Sequence, residues 1–188
     1  MEEEIGHETE RLKLRQWLPD DYVHFSELSA DPEVMEYFPG VLSESESSSF
    51  VKKTESLISK NGWGFWAVEL KSTQQFIGFV GLHNPEAKLP FTPCTEVGWR
   101  LSKKYWGNGY ATEAANASLQ YAFQTLTIEN VFSFTSINNN RSTAVMERLG
   151  MVNQMQNFQH PAIPKGHTLR EHVLYKISKE SWLKNNAL

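Results

Sequence analysis

The chain has 188 residues, a formal net charge of -4, and 40% hydrophobic against 21% charged residues, a balance that suits a single folded domain spanning 1-188 rather than a disordered chain. The acidic excess argues against a nucleic-acid partner, which needs a concentrated basic face. No apolar run approaches the length of a membrane span, and the opening MEEEIGHETE lacks the form of a signal peptide, so a cytoplasmic protein without a membrane partner, monomer or homodimer, is expected. Cys94 is the only cysteine, and His7, His24, His83, His160, His167 and His172 show no ligand spacing, so neither a disulfide nor a metal site is expected.

In chain order, Glu10 to Trp17 alternates as an opening strand. Pro19-Asp20-Asp21 caps a helix carrying Val23, Phe25 and Leu28, and a second short helical piece with Val34, Met35 and Phe38 follows Asp31-Pro32. Ser43 with Glu46 forms a capping box for an amphipathic helix ending near Asn61-Gly62; the serine run at 47-49 alternatively reads as a linker. Gly64 to Leu70 and Phe76 to Leu82 read as a hairpin around Lys71-Ser72-Thr73-Gln74, and a proline-rich loop leads into Glu96. Later come a strand at Asn130 to Ile137, a helix at Arg141 to Leu149 closed by Gly150, a strand pair at Met151 to Phe158 and His172 to Ile177, and a tail helix from Ser178 to Leu188. The order predicts a mixed α+β sheet without internal repeats.

The stretch EVGWRLSKKYWGNGYATEAANASLQYAF, from Glu96 to Phe123, reads as strand, glycine turn and helix. Glycines at a helix start let an anion approach amides that lack intrahelical acceptors, so a phosphate or pyrophosphate fits at 107-112. A tight turn with no ligand is the competing reading. The P-loop and the dinucleotide fingerprint are excluded, because no Gly-Lys-Ser/Thr follows and position 112 is Thr112.

This order and these motifs resemble the GCN5-related N-acetyltransferases (GNAT), and within them the RimJ/RimL-like group that acetylates ribosomal-protein N-termini. The resemblance runs from Thr9 to about Ser178. It is carried by Gly98-Trp99 to Ala114, similar to the Arg/Gln-x-x-Gly-x-Gly/Ala signature, and by Asn139-Asn140-Arg141-Ser142 with Met146-Glu147-Arg148-Leu149-Gly150-Met151. A third stretch, Phe158-Gln159-His160-Pro161 through Gly166-His167 to His172-Val173-Leu174-Tyr175, has the look of a subgroup pattern with no substrate attached. The resemblance implies an α+β fold with a mostly antiparallel seven-stranded sheet, a splayed parallel pair and about four flanking helices. It implies acetyl-coenzyme A as co-substrate without a metal, and acetyl transfer to a primary amine by direct attack in a ternary complex. The acceptor is either a protein N-terminus or a small amine such as a polyamine, amino sugar or antibiotic. The alternative is a catalytically weak acyl-coenzyme A sensor on the same fold.

On that resemblance the cofactor wall comprises Trp99, Arg100, Leu101, Trp106, Gly107, Asn108, Gly109, Tyr110, Ala111, Thr112 and Asn139. The backbone of Trp99 and Leu101 serves the pantetheine arm, and Trp106 stands where relatives carry Arg or Gln. Glu96 is the candidate general base, or else the partner of Arg100 two turns of the pleat away. Ser142 is the candidate donor to the departing thiolate, or else an N-cap. His83 is a further candidate base, or else a satisfied core histidine. Relatives often place a tyrosine four residues after Ser142; here it is Met146.

Overall fold

A computed structural model describes residues 6-186. In chain order the elements are β1 (Gly6–Glu8), β2 (Leu12–Arg15), α1 (Asp21–Ala30), α2 (Glu44–Asn61), β3 (Phe65–Leu70), β4 (Gln75–His83), β5 (Thr95–Leu101), α3 (Tyr110–Gln120), β6 (Asn130–Ser136), α4 (Asn140–Arg148), β7 (Val152–Asn153), β8 (Phe158–Gln159), β9 (Glu171–Ser178) and α5 (Lys179–Asn186). The strands form one sheet in the order β1-β2-β3-β4-β5-β6-β9-β7, with β8 also paired to β9. Every pairing is antiparallel except β5 with β6. The fold is the expected mixed sheet with one parallel pair. The described residues hold nine strands because β1 precedes the expected opening strand, which forms as β2, and the expected strand at 151-158 divides into β7 and β8.

Alternation sorts the sheet's two faces. Phe65 and Phe79 point to the face covered by α1 and α2, where Trp17, Phe25, Phe50 and Phe79 form an aromatic cluster with ring centroids 5.0–6.4 Å apart. Trp66 points the other way and meets Tyr121, just past α3, edge-on at 5.4 Å. Trp182 of α5 joins that second face, stacking near Phe123 and donating from its indole to Asn116. The α2 capping box forms as expected: Ser43 Oγ accepts from the Glu46 amide, Glu46 accepts from the Ser43 amide, and Gly62 ends the helix at φ 80°. No linker occupies the serine run.

Two expectations fail. Residues 32-37 make turns rather than a second helical piece, because the four residues between Pro32 and Tyr37 cannot repay the cost of nucleating a helix. The segment 151-158 cannot run as one strand, since Met155 at φ 54° breaks the extended backbone and Gln154 donates its amide to Leu174 instead. Residues 1-5, and residues 187-188 of the expected tail helix, lie outside the described residues.

Candidate active site

The site begins where β5 and β6 part. They pair only at Thr95 with Val131 and Glu96 with Phe132. Beyond that vertex β5 stays with β4 as far as Leu101, while β6 stays with β9 along its whole length. Each strand is held by its outer neighbour, so the gap between them widens. Residues 97-101 thus have no partner strand on the side facing a cleft of about 1300 Å³, where the Leu101 carbonyl is taken by the Trp106 indole. Backbone groups left without partners in such a place are costly unless a ligand or water takes them.

At the mouth of the cleft lies the glycine turn. Gly107 and Gly109 sit at φ 76° and 80°, a left-handed conformation that side chains resist. A Cβ at Gly107 would meet nothing within 4 Å. Gly109 is the N-cap of α3 and supplies no side-chain cap, so the amides that follow face the cleft open-ended. Asn108 pins the turn by donating to the carbonyls of Tyr105 and Trp106. Arg11 braces the turn, donating to the Asn108 carbonyl at 3.0 Å and lying over the Tyr110 ring at 4.6 Å, while its charge is matched by Glu113 at 2.6 Å. Trp106 fixes the corner through its indole N–H to the Leu101 carbonyl at 2.9 Å, and the Arg141 guanidinium stacks over its ring at 4.6 Å. A cation from α4 therefore stands over the position where relatives carry Arg or Gln. Tyr110, Ala111 and Thr112 complete the lining.

Across the cleft, α4 begins at Asn139, which is its true N-cap: the side-chain oxygen accepts from the Ser142 amide at 3.1 Å. The Asn139 amide group donates to Thr135 Oγ1 at 2.9 Å and Ser142 Oγ at 3.1 Å. Both of its N–H bonds are used, and Ser142 Oγ accepts one of them, so the Ser142 O–H remains available to donate into the cleft. Ser142 is not the cap, and Asn139 acts on Ser142 as well as lining the cleft. Met146 is 1% exposed and offers no hydroxyl there.

Glu96, Gly98 and Arg100 line the floor on the α1/α2 side, opposite His83, Gly81 and Phe79 of β4. Among the described residues Glu96 makes no hydrogen bond or ion pair, and loss of water pushes its carboxyl up to about 8. It does not pair with Arg100. His83 faces Glu96 across the strands and stacks on Phe65 at 5.2 Å, with burial and Lys53 holding its ring below the usual imidazole range. Arg100 turns its side chain away from the glycine turn into the aromatic cluster, and its carbonyl faces β4, so the expected place of Arg100 on the cofactor wall beside Trp99 and Leu101 does not hold. Of the aromatics on β3, Phe65 lines the cleft and Trp66 is core.

Sequence reasoning gave no role to Arg141, Tyr37, Phe38, His160 or His172, which also line the cleft. His160 and His172 lie 5.0 Å apart beside Phe134 and Phe158. Their spacing in the chain had marked that stretch without a function. The residues at 33-38 read only as a helical piece and carried no functional signal.

Residues 11–152 match the family described as Acetyltransferase (GNAT) domain, so the chain belongs to the GNAT acetyltransferases. It is 29% identical over 175 residues to the uncharacterized N-acetyltransferase YnaD of Bacillus subtilis, covering 93% of this chain and 97% of that one. It is 31% identical over 166 residues to the FsC-acetyl coenzyme A-N(2)-transacetylase of Aspergillus fumigatus, covering 84% and 69%. Among solved structures, an acetyltransferase of the GNAT family from Bacillus anthracis superposes with a TM-score of 0.78 at 29% identity, covering 93% and 99%. Acetyl transfer in general is thereby assigned. Among the described residues there is no group of side chains suited to a metal ion and no helix long and apolar enough to cross a membrane.

Proposed function

We propose that this protein transfers acetyl from acetyl-coenzyme A to a primary amine, by direct attack within a ternary complex. The observation that carries this reading is the β5 edge at 97-101, which lacks a partner strand and runs from Glu96 at the vertex to the uncapped glycine turn at the mouth. A donor lying along that edge has its pyrophosphate on the amides at 109-112 and its pantetheine arm against the backbone of Trp99 and Leu101. Its thioester then lies toward the vertex, within the space bounded by Glu96 and Ser142.

In the reaction the amine nitrogen forms a bond to the thioester carbonyl carbon, and the carbon–sulfur bond breaks. A backbone N–H of the free edge stabilises the developing oxyanion. The Ser142 O–H, set by Asn139, donates to the departing sulfur. Glu96 takes the proton from nitrogen. A carboxyl near 8 is well matched to an α-amine of similar pKa, so the proton moves with little thermodynamic cost. His83, opposite it, is a second acceptor. Positioning two substrates in one cleft supplies the larger share, roughly 7 to 11 kcal/mol. An acyl-cysteine route has no support: Cys94 does not line the cleft, and burial with the Glu96 charge pushes its thiol up to about 11.

The test is to incubate the pure protein with acetyl-coenzyme A and a library of primary amines while following free thiol. Amine-dependent thiol release is expected. Tight cofactor binding with no release for any amine instead favours the sensor reading, for which Met146 in the cleft wall is the specific observation.

A further inference from the structure

Among the described residues, two arginines largely withdrawn from water, Arg15 and Arg100, are treated differently. Arg15 bridges Asp21 at 2.7 Å and Glu69 at 2.7 Å, so its charge is matched by carboxylates. Arg100 is 9% exposed and has no carboxylate partner among the described residues. Its Nη1 donates to Ser29 Oγ at 3.3 Å, and its Nε has no partner. Its guanidinium sits among the rings of Phe38 at 4.3 Å, Phe79 at 5.5 Å, Phe25 at 5.6 Å and Phe50 at 5.7 Å. Those ring faces offset part of the cost of burying the charge, but they accept none of its remaining N–H bonds. Arg100, Phe38, Phe50 and Phe79 all line the cleft.

Arg100 also shares its strand face with Glu96, and the two side chains do not pair. Between them is Gly98, whose missing side chain leaves room for the Phe65 ring, which a Cβ there would meet at 3.1 Å. Four residues of strand span roughly 13 Å. The cleft thus offers a proton acceptor for an amine at one end of its floor and an unmatched cation toward the other.

We infer that the acceptor is a primary amine that carries a carboxylate several bonds from its nitrogen, with Arg100 receiving that carboxylate inside the aromatic cluster. This rests on the acetyl-transfer reading and names its substrate class. Desolvation holds the Arg100 guanidinium down to about 10, still charged at neutral pH and in want of an anion. A polyamine, with a second cation, would meet Arg100 unfavourably.

The experiment pairs each ω-amino acid, from γ-aminobutyrate to a chain long enough for the strand span, with its own carboxamide. A parallel arm pairs short peptides bearing Asp or Glu near a free N-terminus with their Asn or Gln counterparts, which separates free amino acids from protein N-termini. Thiol release gives kcat/KM, and the shift in melting temperature with coenzyme A present gives binding without turnover. The carboxylate member of at least one series is expected to win by about 10- to 100-fold, as a charge-assisted hydrogen bond allows. R100Q is expected to bring that ratio close to one, and R100K to keep part of it. Turnover with carboxylate and carboxamide used equally by the wild-type protein overturns the inference while leaving acetyl transfer standing, as does an R100Q variant that folds and keeps the ratio. Carboxylate-selective binding with no thiol release from any amine overturns acetyl transfer and keeps the anion seat. Neither binding nor release overturns both.

Discussion

The two halves of the cleft are built by different means. The half proposed for the cofactor uses backbone: a strand edge without a partner strand, two left-handed glycines and an uncapped helix start, all within residues 97-112. The other half uses side chains brought from α2, the turns at 32-40, β3, β4 and β5, and it keeps a carboxyl and a guanidinium apart on one floor. A backbone cradle tolerates change in most side chains around it, whereas a side-chain floor sets which molecule enters. The difference predicts that substitutions in the first half abolish binding of the donor and those in the second change rate, pH dependence or choice of acceptor.

The largest effect is expected at Gly109. Valine there meets a φ of 80° that β-branched residues avoid, although Arg11 Nη2 at 3.5 Å leaves room for the Cβ itself. G109V should weaken coenzyme A binding about 100-fold or more by calorimetry, the loss of two charge-assisted hydrogen bonds, while circular dichroism shows the fold retained. Unchanged affinity would remove the phosphate from this turn.

Next is Glu96. E96Q should lower kcat/KM by about 100-fold, the usual range for losing a general base, and flatten a wild-type profile that rises with pH to a plateau above about 8. Stability gives an independent reading with a fixed sign. Below the ordinary carboxylate range both folded and unfolded chains hold the proton, so Glu96 contributes nothing. As pH rises toward 8 the unfolded chain has lost a proton that the folded chain still holds, so the wild-type protein loses stability. The melting temperature of E96Q should therefore exceed that of wild type by a margin that grows from pH 5 to pH 9. A margin independent of pH would place Glu96 in ordinary solvent.

A smaller and more selective split is expected across α4. S142A should lower kcat about 10-fold with KM and melting temperature nearly unchanged, given the role proposed for Ser142 at the leaving sulfur and the cap being Asn139. N139A should cost about 1 kcal/mol of stability as well as rate, because Asn139 is the cap and also orients Ser142. Equal thermal losses in both variants would give Ser142 a structural role instead.

The smallest effect is expected at Arg141. Its pairing with Glu36 is half exposed, 51% and 49%, so it contributes little to folding. R141A should leave the melting temperature unchanged and weaken coenzyme A a few-fold, more at low salt than at high. A loss as large as that of G109V would mean that side-chain charge, rather than backbone, holds the phosphate.

The same division explains what the sequence disclosed. Glycines at 107 and 109, the alternation of 96-101 and the Ser43/Glu46 box are local rules, and each element stands where its residues put it. The acceptor floor depends on contacts made across the fold. That Arg100 lies under Phe38 and Phe50, or that His160 meets His172, follows from tertiary packing and from no spacing in the chain. The helix expected at 34-38 had apolar residues at helical spacing, yet prolines on both sides left it too short to form. The cap offered as the alternative reading of Ser142 falls to Asn139, because an N-cap is decided by where the backbone leaves the helical region, and Asn139 at ψ 72° is that residue.

The central claim, direct attack on a donor held along β5, is tested most directly by a single-turnover experiment with protein in excess over acetyl-coenzyme A. Without an amine, no free thiol should appear and the protein mass should stay unchanged. Adding a competent amine should then release thiol and acetylated amine together, one for one. A burst of thiol before any amine is added, with acetyl retained on the protein, would contradict it.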